Sequence, residues 1–187
     1  KKLPVTFAAM TIGVLAIAGI PPFAGFFSKD EILAAAAAVS TPLYVLAVVT
    51  AFMTAFYMAR LLFVTFMGEP ASREAYDHAH EVGWFMRLPL IVLAVLSVFS
   101  GMWGHFCGFG EWVRFGAAAH EGIDWAIAGS STVLAVLAIG LAWKIYVAKS
   151  WDADELAARC GILYRLSFHK FYIDEIYAAL IKVLVDG

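Results

Sequence analysis

The chain has 187 residues, of which 63% are hydrophobic and 15% are charged, and its formal net charge is −2 at pH 7. A soluble domain averages roughly 45–50% apolar residues, so this composition excludes an ordinary soluble globular protein. No basic patch with interleaved aromatic residues occurs, which argues against nucleic-acid binding. Long apolar runs between short charged segments instead predict an all-α integral membrane protein. Because the chain starts at Lys1 and enters an apolar run directly, we expect an internal piece of a longer protein.

The first apolar run covers residues 3–39. As one straight helix it would be about 55 Å long at 1.5 Å per residue. The hydrocarbon core of a bilayer is only roughly 30 Å thick. Pro21 and Pro22 lack amide donors, and Gly25 follows them, so the helix is expected to break near these residues.

Beyond the break, Ser28 is expected to cap a second half-helix that begins near Lys29. Asp30 and Glu31 would then lie in the positive first turn of that helix. Charged side chains inside an apolar run are costly to bury in lipid and are typically functional. Desolvation destabilises a charged lysine, whereas a nearby carboxylate stabilises it. Lys29 is therefore a candidate for proton exchange. The alternative is that Lys29 lies at the interface and snorkels into the headgroups with Asp30 and Glu31.

Three further apolar runs predict membrane spans at residues 42–67, 85–106 and 127–147. The first of these carries a stripe of small residues expected to pack closely on another helix, namely Ala47, Ala51 and Ala55. Residues 150–187 contain no apolar run long enough to cross a membrane, so we expect a surface segment. Within it, residues 168–185 are predicted to form an amphipathic helix at the membrane surface.

Positive charge is distributed unevenly over the loops and ends. The loops and ends on one side of the predicted topology carry eight basic residues: Lys1, Lys2, Arg73, Arg87, Lys149, Arg159, Arg165 and Lys170. The loops on the opposite side carry only Arg114. The side rich in basic residues is predicted to be the cytoplasm or its organellar equivalent. The same topology places Cys107 and Cys160 on opposite sides, so they are not expected to pair.

The sequence shows no motif for binding a cofactor. It contains no GxGxxG or P-loop, and neither cysteine belongs to a CxxC or His/Cys cluster. His78 and His80 flank Ala79, but a polar interfacial loop explains them better than a metal site. We therefore expect no cofactor and no metal on this chain.

Two motifs resemble the antiporter-like membrane subunits of respiratory complex I. Residues 18–33, AGIPPFAGFFSKDEIL, are similar to the discontinuous late helix of these subunits. Residues 168–177, FHKFYIDEIY, are similar to the segment that leads into the long lateral helix of one of them. The motifs occur in the same order as in the family, so the resemblance extends over essentially the whole chain.

The resemblance implies a proton-translocating, non-redox subunit of NADH:quinone oxidoreductase in a bacterial or organellar inner membrane. It maps the family's pumping lysine onto Lys29 and the adjacent acid onto Asp30, with Glu31 as a third candidate. It further implies contacts with other membrane subunits, especially neighbouring antiporter-like subunits, and with the lipid bilayer. The chain would hold at most the exit half of a proton path.

Two alternatives stay open. Subunits of multisubunit cation/proton antiporters and of membrane-bound hydrogenases use similar broken helices. The chain could also be a passive membrane scaffold in which the charged triplet only fixes the helix.

Overall fold

The computed structural model describes residues 2–70, 72–109, 112 and 123–185. These residues form helices and no strands, which confirms the all-α prediction. The helices are α1 (Pro4–Ala18), α2 (Ala24–Val39), α3 (Thr41–Phe66), α4 (Arg73–His78), α5 (Trp84–Phe106), α6 (Trp125–Tyr146), α7 (Ala153–Phe168) and α8 (Ile173–Val185), with a 3₁₀ turn at Lys170–Tyr172. They divide into two compact units, residues 1–148 and 149–187.

Three helices of the first unit, α3, α5 and α6, are long and apolar enough to cross a membrane. Each begins and ends within two residues of a predicted span. By contrast, α1 and α2 have 15 and 16 residues. At 1.5 Å per residue each is about 22–24 Å long, which is short of a hydrocarbon core of roughly 30 Å. That α1 and α2 together make one crossing stays a prediction.

The chain leaves the helical conformation between α1 and α2. Gly19 adopts the left-handed conformation with φ 80°, and the N–H of Ile20 donates to the carbonyl oxygen of Leu15 at 3.1 Å. This positive φ suits glycine and ends α1. Pro21 and Pro22 follow outside either helix.

The predicted start of the second half-helix is wrong. α2 begins at Ala24, and Gly25, expected at the break, lies in its first turn. Ser28 is inside the helix, where its hydroxyl donates to the carbonyl oxygen of Gly25 at 3.4 Å. The chain can return to helical geometry as soon as it has passed Pro22, and a polar cap is not required for that. The two carboxylates after Lys29 therefore lie beyond the first turn.

A close crossing holds α2 against α5. A Cβ atom on Gly101 would lie 2.4 Å from the Cα of Ala24 and 2.8 Å from Cδ2 of Phe27. Only glycine at this position allows the two helices to approach so closely.

The most extensive packing between described helices of the first unit joins α3 to α6. Ala55 and Ala59 of α3 and Ala135, Ala138 and Ala142 of α6 are all at most 4% exposed. Small side chains let helix backbones approach closely, as the alanine pattern in the sequence predicts. The contact lies further along α3 than predicted, because the first two members of the predicted stripe line a cavity between α2 and α3 instead.

The connection between α3 and α5 is tied to the start of α1. The Glu81 carboxylate accepts from the backbone N–H of Val5 at 2.8 Å and from the hydroxyl of Thr6 at 2.6 Å. Lys2 Nζ donates to the Asp77 carbonyl oxygen at 3.1 Å and lies 3.7 Å from the Asp77 carboxylate. Glu81 thus satisfies amide donors that the first turn of α1 leaves open.

In the second unit, α7 and α8 are separated by the 3₁₀ turn. Lys170, Phe171 and Tyr172 have φ values of 53°, 56° and 56°. Three consecutive left-handed residues cannot continue an α-helix, so the helix predicted at residues 168–185 begins only at Ile173. That α8 lies along the membrane surface stays a prediction.

Candidate functional site

Lys29 lies against the C-terminal end of α1. Its Nζ donates to the carbonyl oxygen of Ala18 at 3.0 Å and to that of Ile17 at 3.3 Å. The last carbonyls of a helix lack intrahelical partners and carry partial negative charge, so an ammonium group is favourable there. A Cβ atom on Gly19 would lie 3.0 Å from Cδ of Lys29. Gly19 therefore both ends α1 and leaves room for the lysine stem.

An open cavity of about 600 Å³ adjoins Lys29 and is lined by α1, α2 and α3. Its polar lining includes Ser28, Thr50 and Thr54, while most of the remaining lining is aliphatic. The two threonine hydroxyls donate within α3, to the carbonyl oxygens of Leu46 and Thr50 at 2.8 and 2.7 Å. They keep lone pairs that can accept from water or from Lys29 if its side chain moves.

Asp30 faces a different part of the bundle. Its side chain is 3% exposed, and Oδ1 has no hydrogen-bond partner among the described residues. Asp30 lines a groove of about 400 Å³ between α2 and the adjoining ends of α5 and α6. An orphaned carboxylate oxygen in a buried position is costly unless water or a proton satisfies it.

The groove brings together four titratable side chains. Asp30 and Glu31 come from α2, His105 from the end of α5 and Asp124 from the start of α6. Asp124 has a structural role, because its Oδ1 accepts from the N–H groups at the start of α6. In the described part of the chain, no group of three or more His, Cys, Asp or Glu side chains is arranged to hold a metal ion.

The structure separates two residues that the sequence suggested as partners. Lys29 contacts the carbonyls of α1, whereas Asp30 lines the groove beside α5 and α6. Consecutive helical residues point about 100° apart, which explains the separation. The tertiary fold brings His105 and Asp124 to the groove beside Asp30, and the sequence contains no local signal for this arrangement. Glu31 lines the groove but remains exposed.

Comparison with known proteins assigns the class of this chain. Residues 1–54 match the family described as NADH:quinone oxidoreductase/Mrp antiporter, TM. Together with the three long apolar helices, this match defines a multi-pass protein of an inner membrane.

Two similar proteins, both named chain 5, cover nearly the whole chain, and a third covers just over half of it. NAD(P)H-quinone oxidoreductase chain 5 of Picosynechococcus sp. is 36% identical over 206 residues, which cover 95% of this chain and 31% of that protein. Chain 5 of Synechocystis sp. is 34% identical over 233 residues, covering 100% of this chain and 34% of that protein. NADH-quinone oxidoreductase subunit L of Rickettsia conorii is 41% identical over 107 residues, covering 57% of this chain and 16% of that protein.

The chain belongs to the antiporter-like membrane subunits of complex I. It spans about a third of the length of the chain 5 relatives that it matches.

Proposed function

We propose that this chain supplies part of a proton path in an antiporter-like subunit of an NADH:quinone oxidoreductase, with Lys29 as the central proton-exchanging group. One observation carries the proposal: the Lys29 side chain binds the carbonyls exposed at the end of α1 and adjoins an open, mainly aliphatic cavity whose lining includes the hydroxyls of Thr50 and Thr54. Irregular backbone at membrane depth is tolerated where it lines a wet cavity or is covered by protein. A lysine at such a point can change its charge without leaving the protein.

The proposal assigns the redox chemistry to other subunits. In this view quinone reduction elsewhere in the complex drives changes in charge around Lys29, and Asp30 continues the path. The partners are other membrane subunits of the complex, including neighbouring antiporter-like subunits, and the lipid bilayer. The names of the relatives favour this assignment over a cation/proton antiporter, although the matched family includes both classes.

A scaffold role is the second candidate, because Lys29 also satisfies two helix-terminal carbonyls. Lys29→Arg separates the two functions. Arginine keeps the positive charge and has donors for the carbonyls, but it does not release its proton in proteins. A scaffold retains its function with arginine at this position, whereas a proton relay does not.

The experiment places Lys29→Ala and Lys29→Arg in the full-length subunit and measures assembly and proton pumping in reconstituted vesicles. We expect both variants to assemble and to lose most of their pumping. Arg159→Ala is the control. Arg159 forms an exposed ion pair with Glu155, which is also on α7, and such pairs contribute little to stability. Normal pumping by Lys29→Arg would favour the scaffold, and normal pumping by both variants would exclude the proton role.

A further inference from the structure

His105 occupies a distinct position in the groove beside Asp30. Among the described residues that line this groove, His105 alone can become a cation by accepting a proton. Imidazole groups exchange protons near neutral pH, in contrast to most other side chains. His105 and Asp30 line the same groove, on α5 and α2 respectively.

The ring of His105 is held in place by aromatic contacts. It stacks on Phe27, with 5.4 Å between ring centroids and 30° between ring planes. Phe27 and Asp30 are three residues apart on α2, so they share a helix face. Phe106 adds an edge-on contact to His105 at 5.1 Å. These contacts fix the imidazole beside the groove at the last turn of α5.

The other carboxylates have different roles in the groove. Asp124 Oδ1 accepts from the N–H groups of Ala126 and Ile127 at 2.9 and 3.2 Å, so this carboxylate caps α6. Glu31 is exposed. Asp30 is the buried carboxylate with an unpartnered oxygen, and the groove has room for several water molecules of about 30 Å³ each.

We infer that His105 accepts the proton that Asp30 releases and passes it to water at the adjoining ends of α5 and α6. This inference rests on the proposed function. The proton leaves the carboxylic acid of Asp30, crosses groove water and binds the imidazole, which leaves a carboxylate and an imidazolium. The imidazolium then returns to imidazole by giving its proton to water outside the groove.

The test uses His105→Phe and His105→Gln in the full-length subunit within the assembled complex. Phenylalanine preserves the ring that stacks on Phe27 but cannot carry a proton. We expect both variants to lower proton pumping about tenfold, which is below the usual range for direct acid–base catalysis because water still reaches Asp30. His80→Gln is the control, since His80 is an exposed loop residue whose ring bonds to the carbonyl oxygen of His78 in its own segment. Normal pumping by assembled His105→Phe would overturn the inference.

A double variant tests whether Asp30 and His105 act on one path. If they act in series, Asp30→Asn combined with His105→Gln pumps no worse than the lower single variant. Multiplied defects would mean separate effects and would overturn the inference. Because glutamine has no ring to accommodate, the Asp30→Asn and His105→Gln variants still test whether the two residues act on one path if His105→Phe fails to assemble. A defect in Lys29→Arg with normal pumping in His105→Phe would overturn the role of His105 and leave the proposed function standing.

Discussion

A Cβ atom on Gly25 would lie 1.8 Å from the carbonyl oxygen of Ala16 and 2.9 Å from its carbonyl carbon. The backbones of α1 and α2 therefore touch at a point where only glycine fits. Lys29 follows one helical turn later, over the last carbonyls of α1. The position of the lysine thus depends on this contact as well as on the proline pair.

Gly25→Ala is expected to destabilise the first unit. Overpacking typically costs roughly 1–3 kcal/mol, and we expect a loss at the upper end of this range or above it because the clash is with backbone rather than with a flexible side chain. The measurement is the free energy of unfolding of the full-length subunit in mixed micelles. Gly13→Ala is the control, since no atom lies within 4 Å of a Cβ at that position. Alanine inside a helix is favoured over glycine by about 0.5–1 kcal/mol, so the control is expected to match or exceed the parent protein. Equal stability of both variants would contradict the tight contact.

Glu81 is expected to make stability depend on pH. The hydrogen bond from the Thr6 hydroxyl lowers the pKa of the Glu81 carboxyl below its ordinary 4.5, with support from the N–H of Val5. A carboxyl with a lowered pKa in the folded state stabilises the fold above its ordinary pKa, and this contribution is lost as pH falls through the lowered value.

Thermal unfolding of the full-length subunit between pH 7 and pH 3 provides the measurement. Glu81→Gln is expected to remove the part of the acid sensitivity that appears below pH 4.5. Glu74→Gln, at an exposed position on α4, serves as the control and should retain that sensitivity. Identical pH profiles for the parent and Glu81→Gln would show that the contact with Thr6 does not contribute.

Asp30→Asn is expected to reduce pumping less than Lys29→Ala, because the lysine remains to exchange protons. The same change should preserve or raise stability, since it removes charge from a buried group whose Oδ1 has no hydrogen-bond partner among the described residues. Glu31→Gln should have the weakest effect, as Glu31 is exposed. Pumping and unfolding are measured on the same preparations. A severe defect in Glu31→Gln alone would contradict this order.

The two cysteines should react from opposite sides of the membrane. Both are exposed, and α6, which is long enough to cross, separates them in the chain. Cys107 is expected to react with an impermeant thiol reagent from the periplasmic or intermembrane side, and Cys160 from the side rich in lysine and arginine. Single-cysteine variants assign the two signals. Reaction of both from one face would exclude the four-span topology.

The sequence predicts α3, α5 and α6 well because each is a long apolar run between polar segments. It fails at the start of α2, where Ser28 looks like an N-cap but the chain returns to helical geometry at Ala24, soon after the proline pair. The proline pair indicates that a helix must end, but not how soon the next helix starts.

The site is less predictable than the helices. Lys29 and Asp30 are neighbours in the chain, which suggests an ion pair. Their side chains instead line different features, the cavity beside α3 and the groove beside α5 and α6. His105 and Asp30 line one groove, beside the point where Gly101 lets α5 approach α2 closely. Proximity between residues that are distant in sequence depends on tertiary packing, and the local sequence around His105 does not indicate it.

The contacts of Lys29 have a consequence for how its charge can be controlled. A lysine that has lost its proton still carries two N–H groups, enough for the two carbonyls of Ile17 and Ala18. The charged and neutral forms can therefore keep the same hydrogen bonds and differ in electrostatic energy alone. If Lys29 has the proposed function, a distant change in electric field would shift its proton while the last turn of α1 stays intact, and no local unfolding would be required.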